Sequence, residues 1–317
     1  MAQRKRAFVI GIHGQDGRIL QHTLENDGYE VFGSSRLTKS NTHGSSQTNI
    51  FISDFSSEND CFAILDAVKP DYIFHAAAVH AGHSDMANVI SNRFDDMIRC
   101  HVGITNNILS WQIRNPQSTS HFFLSSQMFL GYPNNTLINE KTMPRSLNHY
   151  GKTKADGWNQ IKKFRRDEGV RAFGYILFNH ASRYTKPGFL AHNLATQILG
   201  LLNHPEQVLR IENANQLLDA SHSQDFMNAI IGCGDLPKPE DFILANDEFE
   251  SLGQIASQVI ANFNISPNRL VLLDSSSQLN SLKGDSSKIK KVLAWTPRHS
   301  FSNAIIEIIE DNLGTGR

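Results

Sequence analysis

The chain has 317 residues, 40% of them hydrophobic and 19% charged, enough for one large or two modest domains with a sizeable core. Thirty Lys and Arg stand against 31 Asp and Glu, a formal charge of −1, which excludes bulk attraction to nucleic acid or to an anionic membrane surface. No apolar run reaches the length of a membrane span, and FVIGI, after the basic MAQRKR, is too short for the core of a signal peptide. The expectation is a cytoplasmic protein whose widely spaced Cys61, Cys100 and Cys233 are reduced thiols.

AFVIGI (7–12) predicts a short buried strand, and residues 15–27 predict a helix with Ile19, Leu20 and Leu24 on one face. Strands follow at 29–35 and 49–55, a helix at 58–67, and a strand at 71–78. A long helical region spans 88–114, then a strand at 121–126, a helix at 150–168 and a strand at 171–178. Strand alternating with helix predicts an α/β fold, a Rossmann-type doubly wound parallel sheet covered on both faces. Beyond it the pattern is less regular. Helices are expected at 188–203, 221–232 and 251–263, a strand at 207–212, and two helical pieces over 288–313 broken at Trp295-Thr296-Pro297. The expected organisation is a dinucleotide-binding domain over 1–178, joined by some later segments. A smaller C-terminal substrate-binding lobe over 179–317 follows, with a cleft between the two.

Within GIHGQDGR (11–18), Gly11, Gly14 and Gly17 lie where a strand passes into a helix. Small residues there let a pyrophosphate approach the backbone, and the helix N-terminus offers it N–H groups and a positive dipole end. The second strand ends in Ser34-Ser35-Arg36, without the carboxylate that would hold the ribose hydroxyl of NAD; an arginine there suits the 2′-phosphate of NADP. Asp54 ends the third strand, placed either to meet an adenine amino group or to cap the next helix. Downstream of Ser125-Ser126, Tyr150 and Lys154 stand four apart on one helix face. A phenol with a pKa of about 10 is a poor base until a neighbouring ammonium stabilises its phenolate. A serine hydroxyl can orient the reacting oxygen, so the trio suits hydride exchange between a nicotinamide and a sugar carbinol. The fourteen histidines contain no HxxxH pair on a convincing helix, and no metal site is expected.

These motifs together resemble the extended short-chain dehydrogenase/reductase family, which includes NAD-dependent epimerases and dehydratases, and within it the GDP-mannose 4,6-dehydratases. GIHGQDGRIL is similar to that group's GITGQDG signature, and LFNHAS (177–182) to its LFNHES. RIENANQLLDASHSQDF (210–226) and GDSSKIKKVLAWTP (284–297) resemble its later substrate-lobe segments, so the likeness runs through nearly the whole chain. The resemblance implies that Gly11, Gly14, Gln15, Asp16 and Gly17 hold the pyrophosphate of NADP and that Arg36 meets its 2′-phosphate. Asp54 and Phe55 would meet the adenine, and Ala76, Ala77 and Ala78 would line the cofactor. His180 would sit near the nicotinamide and Asn179 near a nucleotide sugar. Ser126, Tyr150 and Lys154 would be catalytic, with Ser126 also touching the substrate and Lys154 the cofactor. It implies a homodimer or higher homo-oligomer, formed through the helices at 88–114 and 150–168.

The chain also departs from that pattern. The glutamate that removes the C5 proton in the dehydratases is replaced by Met128, which has no proton to exchange. Leu218 and His192 replace two diphosphate-binding arginines, leaving Arg183, Lys186 and His192 to hold the substrate. The loop after Arg36, which helps assemble tetramers in that group, is shorter. Hydride transfer at C4 of a nucleoside-diphosphate sugar, by a dehydrogenase, 4-keto reductase or 4-epimerase, is the expected chemistry. A dehydratase with a relocated acid/base, drawn from His80, His83 or Glu140, is one alternative. A non-catalytic NADP-binding scaffold is the other.

Overall fold

A computed structural model of the protein describes residues 4–36, 49–80, 90–246, 248–274 and 281–314. His83 and the segment following Arg36 lie outside the described residues. In chain order the first elements are β1 (Arg6–Ile10), α1 (Gln15–Asn26), β2 (Glu30–Ser35), β3 (Ile50–Ile52), α2 (Glu58–Val68) and β4 (Tyr72–His75). Then come α3 (Ile90–Ile98), α4 (Ile104–Arg114), β5 (Thr119–Ser125), β6 (Leu137–Ile138), α5 (His149–Asp167), β7 (Ala172–Leu177) and β8 (Asn179–Ala181). The remainder is α6 (Leu190–Asn203), β9 (Leu209–Ile211), β10 (Leu217–His222), α7 (Ser223–Gly232), β11 (Asp241–Leu244), β12 (Phe249–Ser251), α8 (Leu252–Asn262), β13 (Leu270–Leu272), β14 (Lys283–Gly284), α9 (Ser287–Leu293) and α10 (Phe301–Leu313).

The large sheet has the order β11-β7-β5-β4-β1-β2-β3. The pairs β1–β2, β1–β4, β2–β3 and β4–β5 run parallel. Strand order therefore reverses between β1 and β4, the crevice where doubly wound sheets bind ligands. The strands read as near-continuous apolar runs because both faces are covered; Ala7, Phe8 and Val9 of β1 are fully buried. Phe8 packs on Phe55 with ring centroids 5.2 Å apart. The Trp111 indole N–H donates to Asp66 Oδ1 at 2.7 Å, tying α4 to α2.

The chain divides into two compact units. One comprises Met1–Gly131, Met143–Ile176 and Met227–Phe242; the other comprises Tyr132–Thr142, Leu177–Phe226 and Ile243–Arg317. The second unit carries a small sheet of order β12-β10-β8. Its core gathers Leu194 and Ile198 of α6, Ile255 and Val259 of α8, and Ile305 and Ile309 of α10. Capping boxes start α8 at Ser251 and α10 at Ser300. Among the described residues, no helix is long and apolar enough to cross a membrane.

Three of the boundaries that differ from those the spacing predicts have a visible cause. The helix expected from 221 begins at Ser223, because β10 continues to His222 with β8 on one side and β12 on the other. Buried Asp219 reinforces that strand by accepting the N–H groups of Asn246 at 2.7 Å and Gly284 at 2.9 Å. The strand expected over 49–55 shortens to Ile50–Ile52, since Asp54 turns the chain by taking the N–H and hydroxyl of Ser56. The long helix expected over 88–114 contains a π turn at Arg99–Gly103 between α3 and α4.

Candidate active site

The glycine turn sits at the end of β1, where β4 passes beside it. Gly11 has φ +87°, and a Cβ there would lie 2.8 Å from the Ala77 backbone. A Cβ on Gly17 would lie 2.7 Å from the Ile12 Cα. The Gly11 N–H donates to the Ser34 carbonyl, and the Gly14 N–H donates to the Gly11 carbonyl at 2.8 Å. Gly14 caps α1 without a side-chain hydrogen bond. These features fit a dinucleotide pyrophosphate: Gly11 and Gly17 leave no room for a side chain, and a helix N-terminus follows.

Arg36 is exposed just past the end of β2. Burial would raise the Asp54 carboxyl, but the Ser56 hydrogen bonds outweigh it and hold Asp54 below the usual carboxylate range, with help from the Arg36 charge. The helix cap itself is Ser57, which accepts from the Asp60 N–H. The Phe55 ring is buried against Phe8, and the Phe55 carbonyl accepts from Asn107 Nδ2 at 3.0 Å. Ala76, Ala77 and Ala78 follow β4, and the Ala76 N–H donates to the Ile10 carbonyl at 3.1 Å.

Tyr150 and Lys154 lie on the buried face of α5. Asn148 caps that helix by accepting the Gly151 N–H at 2.7 Å, and its amide reaches Gln127 Oε1 at 3.1 Å. Any side chain at Gly151 would collide with the Gln127 carbonyl, so the start of α5 sits directly on the turn that follows β5. This docking brings Tyr150 to Ser125, whose hydroxyl hydrogen-bonds the phenol and also accepts the Gln127 N–H. The hydroxyl on the phenol is thus Ser125; Ser126 begins the adjoining 3-10 turn and is half-buried. Burial pushes the phenol well above its ordinary value, partly offset by Ser125. Burial also brings the Lys154 ammonium down to about 8, while Cys100 and Asp16 pull it upward. Lys154 Nζ donates to the Phe123 carbonyl at 2.7 Å and lies 5.8 Å from the Tyr150 ring centroid. Gln15 and Asp16 are joined at the cradle by a 3.1 Å hydrogen bond.

Two imidazoles flank the Tyr150 ring. His80, exposed, stacks on it with centroids 4.7 Å apart and planes 23° apart. His101, buried, meets it edge-on at 5.2 Å. The π turn carries His101, and a Cβ on Gly157 of α5 would fall 2.7 Å from its carbonyl. His101 Nε2 accepts the Val79 N–H at 3.2 Å, which fixes the neutral tautomer with Nδ1–H donating to Thr153 Oγ1 at 2.8 Å. Burial, then the Lys154 charge, holds His101 far below the usual imidazole range, and brings His75 down to about 3. Met128 is fully buried.

The second unit holds the remaining predicted residues. Asn179 is exposed on β8, and His180 Nδ1–H donates to the Phe178 carbonyl at 2.7 Å. Arg183 is turned to α10: its guanidinium lies 3.6 Å from Glu307 and 3.5 Å from Asp311. Glu307 also meets His222 Nε2 at 3.2 Å. Lys186 is exposed, and His192 contacts Thr196 within α6. Leu218 is buried in β10. Glu140 accepts the Ile243 N–H at 3.1 Å, and burial raises its carboxyl.

Sequence reasoning did not single out His101, which no motif marks; a mid-helix glycine, Gly103, is the one local hint that α3 and α4 are not continuous. Ser125 was visible as the strand-ending serine, but spacing alone could not separate it from its neighbour.

Residues 7–244 match the NAD dependent epimerase/dehydratase family. The chain is 25% identical to GDP-mannose 4,6 dehydratase 1 of Arabidopsis thaliana, over 98% of this chain and 90% of that protein. It is 24% identical to the Cricetulus griseus GDP-mannose 4,6 dehydratase, over 97% of this chain and 91% of that protein. In fold it is similar to UDP-glucose 4-epimerase of Thermotoga maritima, solved with UDP-glucose, with a TM-score of 0.81 at 17% identity over 98% of this chain and 99% of that one. It is similar too to dTDP-glucose 4,6-dehydratase of Bacillus anthracis, solved with NAD, with a TM-score of 0.78 at 14% identity over 96% of both chains.

Proposed function

The chain belongs to the NAD-dependent epimerase/dehydratase family, and from that premise we propose that it exchanges a hydride with C4 of a nucleoside-diphosphate hexose, using NADP as cofactor. The observation that carries this reading is the buried Tyr150–Lys154 pair with Ser125 on the phenol, held on the helix that docks beside the turn after β5. Gly11, Gly14, Gln15, Asp16 and Gly17 hold the pyrophosphate, Arg36 takes the 2′-phosphate, and Asp54, Phe55 and Ala76–Ala78 line the rest. The cofactor, when bound, supplies or accepts the hydride. The protein's own part is proton handling and orientation. Tyr150 passes a proton to or from the C4 oxygen, Ser125 and Ser126 orient that oxygen, and Lys154 carries the compensating charge beside the phenol.

In the resting site the proton stays on Tyr150, since burial raises the phenol, which suits donation to a 4-keto group. His180 meets the nicotinamide, and Asn179, Lys186 and His192 meet the nucleotide sugar. Arg183 contributes less to it than the resemblance implies, because Glu307 and Asp311 already engage its charge. A 4,6-dehydratase is the second reading, favoured by the relatives' activity. Burial of Met128 weighs against it. The protein should be incubated with NADP, NAD and their reduced forms and a panel of GDP-, UDP- and dTDP-hexoses and their 4-keto derivatives. Nicotinamide absorbance and product mass are followed. Turnover with NADP(H), lost in Tyr150→Phe, is expected. A product lighter by one water would replace C4 oxidoreduction with the dehydratase reading, and no turnover of any sugar nucleotide would reject both.

A further inference from the structure

We infer that His101 is a positioning residue for Tyr150, acting through Thr153 by a chain of hydrogen bonds that runs from the segment after β4 to the Tyr150 backbone; this rests on the C4 reading above, in which Tyr150 handles the proton. The direction of the chain follows from counting protons. Val79 stands one residue beyond Ala78, and its backbone N–H can only donate, so His101 Nε2 receives it on a lone pair at 3.2 Å. The single proton of the neutral imidazole then sits on Nδ1 and goes to Thr153 Oγ1 at 2.8 Å. The Thr153 proton is left for the His149 and Tyr150 carbonyls, each 3.1 Å away. Three donors point the same way, an arrangement in which each bond polarises the next.

The imidazole also touches the ring it positions. It meets Tyr150 edge-on with centroids 5.2 Å apart, so ring and carbonyl of the same residue are held together. The chain is anchored at the π turn. The Cys100 carbonyl accepts from His75 Nε2 at 3.0 Å, and the His101 carbonyl accepts the Thr105 hydroxyl at 2.8 Å. A Cβ on Gly157 would lie 2.7 Å from the His101 carbonyl, so α5 rests directly on the turn. His101 is 2% and Thr153 1% exposed, which leaves bulk water little access to replace a lost bond. Burial also keeps the imidazole neutral, the state the chain requires.

No proton moves along this chain during turnover. Its effect is on geometry: a misplacement of the reacting phenol by about 1 Å is enough to cost ~100-fold in rate. Because Thr153 lies between Tyr150 and Lys154 on α5, loss of the chain loosens the helix segment that carries both.

The test uses the full chain with NADP(H) and the sugar nucleotide it turns over. His101→Phe removes both side-chain bonds and keeps a ring. Thr153→Val breaks the second link at nearly constant volume, and Thr153→Ser keeps the hydroxyl. In each of the first two variants kcat should fall ~100-fold, with KM changed by about threefold at most. The double variant should lose no more than either single one, and Thr153→Ser should stay close to wild type. Placed on Tyr150→Phe, His101→Phe should bring no further loss, since it acts through the phenol. Melting curves check folding, and Thr153→Val carries the test if His101→Phe does not fold. Unchanged kcat, a rise in KM alone, additive losses in the double variant, or a full further loss on Tyr150→Phe would each overturn the inference and make His101 a packing residue. Imidazole 15N NMR reads the tautomer without turnover: Nδ1–H is expected, and an Nε2–H or doubly protonated His101 at pH 7 overturns the chain as well. Absence of wild-type turnover rejects the C4 reading and this inference with it, whereas failure of the inference alone leaves wild-type turnover intact.

Discussion

The two units treat corresponding motif positions in opposite ways. In the unit built on the large sheet, the motif residues keep the chemistry they imply: glycines leave room at the cradle, and Tyr150 and Lys154 are buried together beside Ser125. In the other unit the positions that would hold a diphosphate are used for packing and internal charge pairing. Leu218 is buried in β10, and Arg183 faces Glu307 and Asp311. On the reading proposed above, the cofactor site and reaction centre are kept while substrate recognition is rebuilt. It also explains why a full-length likeness to GDP-mannose 4,6-dehydratases does not by itself fix the sugar nucleotide.

The comparison is sharpened most by Tyr150→Phe, which should lower kcat/KM by ~1000-fold, about 4 kcal/mol of transition-state stabilisation, while NADP binding followed by fluorescence persists. Retained turnover would detach the chemistry from the motif. Next in size is Met128→Glu. A carboxylate placed in this fully buried position should cost about 3 kcal/mol of stability, read from urea unfolding, and yield no dehydrated product. A stable, water-eliminating variant would show that the position faces the sugar after all.

Acid should act on the same unit. Burial holds His75 and His121 down to about 3 and lowers His101 too, against an ordinary value of 6.5. These groups are neutral when folded and charged when unfolded, so the unfolded chain binds more protons below pH 6.5. Their contribution is complete above that pH and is lost progressively as pH falls from 6.5 towards 3, at up to about 1.4 kcal/mol per pH unit per group. Melting temperature measured from pH 7 to pH 5 should fall, and His121→Leu should flatten the slope. Smaller still, Arg36→Ala should weaken NADP binding about tenfold with little change for NAD, in parallel titrations. Least of all, Arg183→Ala should cost about 1 kcal/mol of stability and leave KM for the sugar nucleotide nearly unchanged. A large rise in KM would return Arg183 to the substrate.

Much of this was legible in the sequence. The glycine spacing, the strand–helix alternation and the Tyr150–Lys154 pair are local signals, set by the period of a helix or a turn's need for room, and the structure displays each of them. What was not legible depends on partners far along the chain. Asp219 keeps β10 extended because Asn246 and Gly284 offer it N–H groups. Arg183 reads as a ligand for phosphate until α10, more than a hundred residues later, brings Glu307 beside it. The π turn escapes detection because one extra residue in a helical ring leaves the hydrophobic period almost intact. Its effect, His101 against Tyr150, emerges only in three dimensions.

The order of the large sheet has a consequence for how the chain is made. β11, at Asp241–Leu244, is the edge neighbour of β7, yet the stretch to Phe226, which belongs to the other unit, and then α7 lie between them in sequence. During synthesis β7 waits with an unpaired edge until that stretch has emerged from the ribosome, and such edges invite pairing with other chains. Fragments ending before Asp241 should therefore aggregate, whereas those extending past Leu244 should gain a closed sheet edge. The last strand to arrive acts as a biosynthetic checkpoint for the unit built on the large sheet.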